Sequence, residues 1–152
     1  MNVGQVVTVL ALVVAGFTAC AEFGSYAFVH PVIRRLPFEH HVAVEQGLVR
    51  TFGRFMPVAM PASFALLVAW SVVGQSNPWL EVAALVLWGA GLVTTIVVNV
   101  AINRQTARLD VATVDAEQWR AARARWELFQ AFRSWAFLLS FVIVCVATGA
   151  AG

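Results

Sequence analysis

Residues 79–101 read WLEVAALVLWGAGLVTTIVVNVA, a run of 23 in which Glu81 is the one charged side chain. Crossing roughly 30 Å of hydrocarbon takes about 20 apolar residues in a helix, so this stretch reads as a transmembrane span. Three further runs meet the same criterion: Val3–Val29, Phe55–Gly74 and Trp135–Ala151. The first lacks a basic leader, is too long for a signal peptide and contains Glu22, so it is expected to be retained. The expected fold class is all-α: an integral membrane four-helix bundle, a single domain over residues 1–152, with amphipathic cytoplasmic segments.

Composition supports this class. Of 152 residues, 61% are hydrophobic and 12% charged, and the mean hydropathy is +0.79. A water-soluble domain is about 45–50% apolar and about 25% charged, so the excess apolar surface is expected to face lipid. The net charge of +2 offers no broad cationic field, which argues against a nucleic-acid partner. Cys20 and Cys145 lie in apolar runs without a CxxC or Cys/His pattern and read as packing residues.

The segments between the spans are informative. His30–Arg54 opens HPVIRRLP and continues FEHHVAVEQGLVRTFGRF, where Pro31 and Pro37 limit helix and the part from Phe38 suits an amphipathic interfacial helix. Gln75, Ser76, Asn77 and Pro78 allow only a tight connection, so the second and third spans should be neighbours. After the third span come NVAINRQTARLD (99–110) and VDAEQWRAARARWELFQAFRSWAF (114–137), with Trp119, Arg123, Trp126 and Gln130 at helical spacing. Asp115 can cap that last helix, with Glu117 in its first turn. All ten basic residues are arginines, and all fall between spans one and two or between spans three and four. Arg-rich short loops stay cytoplasmic, which implies an inner (plasma) membrane protein with both termini extracytoplasmic.

An ionisable residue within a span is costly and marks a functional site by default. Glu22 is such a residue, and helical spacing places Ser25, Tyr26 and roughly His30 along its stripe; a structural alternative pairs Glu22 with Arg133. Asn99 and Asn103 lie one turn apart beside Arg104, as catalytic polar groups or as helix-bridging amides with a snorkelling arginine. His41 and Glu45, four apart, could reach one metal ion with His40 nearby, or the histidines could simply be exposed at the interface. Trp119 and Trp126, sharing a helix with Arg123, Gln130 and Arg133, could hold a flat aromatic molecule or could serve packing. Trp79 and Trp135 suit the aromatic belt. No nucleotide or flavin motif, nucleophilic-serine motif or CxxCH occurs.

The segments NVAINRQTARLD, Trp119 and RARWELFQAFRSWAF resemble the anthrone oxygenase-like family. Its pattern runs Asn-Val-Pro-x-Asn, a central Trp, Arg-x-x-Trp and His-x-x-Arg, with weaker agreement here over residues 24–37. Asn99, Asn103, Trp119, Arg123 or Arg125, Trp126 and Arg133 match; Ala101 replaces the proline, and Gln130 stands where histidine is usual. An amide neither titrates near neutrality nor binds transition metals well, so Glu22, His30, His40 and His41 are the remaining candidates for that role.

The resemblance implies an enzyme oxidising an apolar aromatic or polyketide-derived substrate with dioxygen. Glu22 or a histidine such as His30 would be the base, Arg133, Asn99 and Asn103 would hold an oxyanion, and Tyr26, Trp119, Trp126 and Gln130 would bind the substrate. The cofactor expectation is none or a copper/iron ion held by His40, His41 and Glu45 with help from His30 or Glu22. The rival is a non-catalytic small membrane protein, either a transporter subunit or a lipophile-binding carrier. Expected partners are the lipid bilayer and an apolar small molecule, with a homo-oligomer left open.

Overall fold

The computed structural model describes residues 1–73, 77–110 and 112–150. Four long helices carry the chain: α1 over Val3–Ile33, α2 over Phe38–Val73, α3 over Pro78–Arg108 and α4 over Ala116–Ala150. Each is long and apolar enough to cross a membrane, and no strand occurs among the described residues. Each helix packs on its two neighbours, α1 on α2, α2 on α3, α3 on α4 and α4 back on α1. This is an up-and-down four-helix bundle, and the second and third spans are adjacent as the short connection required.

The helix ends follow from local chemistry. Asn2 and Gln5 form a reciprocal capping box that opens α1. Asn77 accepts from the Trp79 amide, with Pro78 in the first turn of α3. Asp115 accepts from the Glu117 amide at the start of α4, as its capping role required. The connection runs through an Asp110 turn, whose carboxylate accepts from the Ala112 amide.

One expectation changes. The stretch from Phe38 is no separate interfacial helix, because it runs without a break into the second span as one helix of 36 residues. At about 1.5 Å per residue such a helix is about 54 Å long, well beyond a hydrocarbon core of about 30 Å. Its inward seam explains the continuity: Glu45, Met56, Ser63, Leu67 and Trp70 are all buried at spacings of a single face. Gly74, Gln75, Ser76 and Ala151, which belong to the expected turn and span ends, lie outside the described residues.

Packing inside the bundle uses small and hydroxylated residues, as helices in lipid must. Ala11, Ala15 and Ala19 are fully buried along α1. Ser63 of α2 donates to Thr18 Oγ1 of α1 at 3.1 Å, and Ser140 of α4 to the Ala84 carbonyl of α3 at 2.8 Å. At Gly91 a Cβ would fall 2.6 Å from the Phe137 ring, which itself stacks on Trp88 at 4.3 Å between centroids. Outside, Val13, Phe17, Val86, Ile96 and Val97 are exposed. Apolar groups outside and small or polar groups inside make the bundle suited to lipid. Trp79 and Trp135 are both exposed, Trp79 beside its cap and Trp135 edge-on against Phe23 at 4.9 Å.

Two helices contain one π turn each, at Ser25–Val29 in α1 and Thr95–Asn99 in α3. A π turn absorbs one extra residue, and such turns cluster at functional sites. Glu22 and His30 are eight apart, which in a regular α-helix leaves them about 80° out of line. With one residue absorbed they behave as an i, i+7 pair, about 20° apart, and both are buried on one face.

Candidate functional site

The inward seam of α4 runs Trp119, Arg123, Trp126, Gln130, Arg133, in alternating steps of four and three, and every one of these is buried. The same rhythm continues as Phe137, Ser140, Val144 and Ala147. The seam is therefore polar and aromatic in its first half and apolar in its second. Two charged groups of the polar half meet carboxylates from other helices.

The deeper pair is Glu22 with Arg133. Arg133 donates to Glu22 Oε2 from Nη2 at 2.8 Å and from Nε at 3.1 Å. Gln130 Nε2 donates to the same oxygen at 2.9 Å, and Gln130 Oε1 accepts from Arg133 Nη2. Arg133 Nη1 donates to Thr95 Oγ1 at 3.1 Å, and the Thr95 hydroxyl donates to the Gly91 carbonyl at 2.8 Å. The carboxylate is thus matched by a fork and an amide, the satisfaction that a buried charge requires. This is the structural partnership that the sequence left as an alternative for Glu22. An amide suits position 130 because it donates and accepts at once.

The second pair is Glu45 with Arg123, at 2.6 Å between Oε1 and Nη2, both buried. The Arg123 guanidinium carbon lies 4.0 Å from the Trp126 ring centre and 5.6 Å from that of Trp119. This cation–π contact with an aromatic face compensates for burial. His30 Nδ1 stands 3.3 Å from Glu45 Oε1 and His41 Nε2 stands 3.6 Å from it. The His30 ring also packs against Trp126 at 4.9 Å between centroids, and His41 meets Trp119 edge-on at 5.8 Å.

Trp126 is held at both ends. Its indole N–H donates to Asn103 Oδ1 at 2.8 Å, and its carbonyl accepts from Asn99 Nδ2 at 3.3 Å. An indole nitrogen can only donate, so Asn103 must turn its oxygen to Trp126, which leaves its Nδ2 as a free donor. The pair Asn99 and Asn103, legible as one helix face, therefore first positions an aromatic ring.

Glu22 and Arg133 of the first pair and Glu45 of the second line one cavity of about 560 Å³ to which all four helices contribute. That volume lies within the usual range for a small-molecule site, about 300–1,000 Å³. Glu22, His30, Glu45, Trp126, Gln130 and Arg133 form its polar wall, while Leu48, Phe52, Met56 and Met60 of α2 form an apolar one. Asn103 and Arg104 of α3 also line it.

The structure brings together Glu22, His30, Glu45, Asn103, Trp126, Gln130 and Arg133. Other expected residues fall elsewhere. Asn99 is fully buried behind Trp126, Trp119 lies against Arg123 and His41 outside the cavity lining, and Tyr26 packs on Phe23 at 6.1 Å. His40 is exposed, away from Glu45. Arg123, not Arg125, is the buried arginine of the pair that the sequence left open. Sequence reasoning overlooked Thr95 and read Glu45 only as a metal ligand; its phase with Met56, Ser63 and Trp70 was the available signal.

A copper or iron ion on His30, His41 and Glu45 fits poorly. Both imidazole nitrogens face the carboxylate oxygen that already holds Arg123 Nη2 at 2.6 Å. A guanidinium there repels a second cation. Among the described residues no group of three or more His, Cys, Asp or Glu is arranged to hold a metal ion.

The family model of anthrone oxygenase matches residues 47–143. The matched stretch includes the apolar wall of α2 beyond Gly47 and the whole of α3, with Asn99, Asn103, Trp126, Gln130 and Arg133. Glu22, His30, His41 and Glu45 lie before it. No curated protein and no solved structure matches the chain.

Proposed function

This chain belongs to the anthrone oxygenase family, and from that premise we propose that it is a membrane-embedded oxidoreductase taking an apolar, acidic aromatic substrate and dioxygen. The observation that carries the reading is His30, set between Glu45 and the Trp126 ring on the wall of the shared cavity. Support for His30 over Glu22 as the base lies in their partners. Glu22 is tied through Oε2 to Arg133 and Gln130, and a proton taken up by this carboxylate would break the buried ion pair that joins α1 to α4. With Nδ1 turned to Glu45, His30 keeps Nε2 as its proton acceptor, the arrangement of an oriented general base.

The chemistry runs as follows. An anthrone has a CH₂ group between two rings whose proton loss gives an electron-rich enolate. His30 takes that proton, Trp126 supports the ring, and the Asn103 Nδ2 donor faces the developing oxyanion. The carbanion carbon gives its electron pair to dioxygen, forming a C–O bond, and a proton completes a hydroperoxide. Loss of water, made from the remaining C–H proton and the distal hydroxyl of the hydroperoxide, leaves the quinone carbonyl. One oxygen atom ends in the quinone and one in water. The chain's own groups supply every proton transfer.

The same reading places the protein in the inner (plasma) membrane with the arginine-rich end cytoplasmic and both termini extracytoplasmic. Purified protein in lipid nanodiscs, given a panel of anthrones and related acidic phenols, tests the function by dioxygen uptake. Uptake is expected with at least one tricyclic substrate, and His30→Gln should lower the rate by about 10²-fold or more. Undiminished uptake in His30→Gln removes His30 as the base. Tight binding without any uptake would make the protein a lipophile carrier instead.

A further inference from the structure

The cavity wall is uneven in a way the reaction does not explain. Every residue that α1 and α4 contribute to it is buried or half-buried, whereas α2 and α3 also contribute residues that are exposed on the outside of the bundle, among them Pro57, Ile96, Arg104 and Ala107. A residue that lines a cavity and also faces outward marks an opening. The α2 rim runs Val49, Gly53, Pro57 in steps of four, and the α3 rim runs Ile96, Val100, Arg104 in the same steps. Two facing helical stripes bound a slot along the bundle axis, about 12 Å long at 1.5 Å per residue.

The slot is closed at both ends. Towards the termini, the Trp88 indole donates to the Met60 carbonyl at 3.1 Å and ties α3 to α2. Towards the arginine-rich end, Gln46 Nε2 of α2 donates to the Thr106 carbonyl at 3.1 Å and the Leu109 carbonyl at 2.9 Å, tying the helices again. Between the two ties, α3 contains its π turn and α2 contains Pro57, with Pro61 immediately past the Met60 tie. A π turn and an internal proline are both features at which a helix departs from its regular path.

We propose that the slot between α2 and α3 is a lateral portal through which a flat, lipid-dissolved aromatic molecule passes edgewise from the bilayer to the cavity. Its rim is apolar or small at Val49, Gly53, Pro57, Ile96 and Val100, which presents no polar barrier to such a molecule. The nearest atoms to a Cβ on Gly53 would be those of the Val49 side chain, at 3.6 Å and beyond, and the Leu48 carbonyl at 3.9 Å, all on its own helix. Glycine here keeps the rim low. Arg104, exposed at the arginine-rich end of the rim, offers a cation where the apolar span gives way to headgroups. A substrate with an ionised or oxygenated edge meets Arg104 while its rings lie against Ile96 and Pro57.

The portal rests on the cavity being a substrate site, and its test is independent of oxygen chemistry. The probe is a fluorescent anthraquinone, already oxidised and therefore unreactive, supplied within liposomes that contain the protein. Gly53→Trp and Ile96→Trp, one on each rim, should each slow its association by about tenfold or more, since most of the barrier becomes passage through the narrowed slot. Val86→Trp, on the exposed face of α3, should leave association unchanged. Equal association rates in all three variants and the native protein would overturn the portal even if dioxygen uptake is robust. Slowed association in the two rim variants, with no uptake from any anthrone, would keep the portal and overturn the oxygenase.

Discussion

Arg133 donates twice to a single oxygen of Glu22, from Nη2 at 2.8 Å and from Nε at 3.1 Å, although 111 residues separate them in the chain. The pair ties α4 to α1 at the depth of the cavity, and Gln130 is bonded to both members. Neither charge can be removed alone without leaving its partner buried.

That geometry predicts the outcome of Glu22→Gln. The variant keeps the shape of the side chain but leaves Arg133 uncompensated, at a cost of about 3–5 kcal/mol. Thermal unfolding in detergent should show a large loss of stability, and Glu22→Gln combined with Arg133→Gln should recover much of it. A single variant as stable as the native protein would show that the pair is not a structural tie.

Gln130 separates hydrogen-bonding capacity from chemistry. Gln130→His retains one donor and one acceptor and should leave the melting temperature nearly unchanged. Gln130→Leu deprives both Glu22 and Arg133 of a partner and should cost about 1–3 kcal/mol. Equal stability of the two variants would contradict the bridging role.

Asn103 carries two tasks on two atoms, and Asn103→Asp divides them. The aspartate keeps an acceptor for the Trp126 indole but loses the Nδ2 donor and adds negative charge beside the developing oxyanion. The fold should persist while kcat falls by about 10²–10³-fold. Asn103→Leu should disturb both, with a weaker KM as well. Unchanged kcat in the aspartate variant would remove Asn103 from the oxyanion site.

Orientation is open to cysteine labelling in a chain whose exposed Cys20 and Cys145 have been replaced by serine. With both loops cytoplasmic, an impermeant thiol reagent applied to intact cells should spare a cysteine at Arg108 and modify one at Asn77. The opposite pattern would invert the topology.

Four spans, their order and the polar seam from Trp119 to Arg133 were legible in the sequence. Hydrocarbon imposes a minimum length and an apolar composition on any segment that crosses it, and helical spacing fixes which neighbours share a face. Even the cap at Asp115 followed, because capping depends on residues within one turn. The tertiary structure alone decided who meets whom across helices. It joined Glu22 to Arg133, Glu45 to Arg123, and His30 to both Glu45 and Trp126, since partners far apart in the chain are chosen by the rotation and register of packed helices. It also turned the stretch from Phe38 into the lower half of a long spanning helix, because a seam of inward residues gains burial only once three other helices stand beside it. The π turn that brings Glu22 and His30 onto one face leaves no mark in composition or periodicity: it is a local cost accepted where tertiary contacts repay the extra residue.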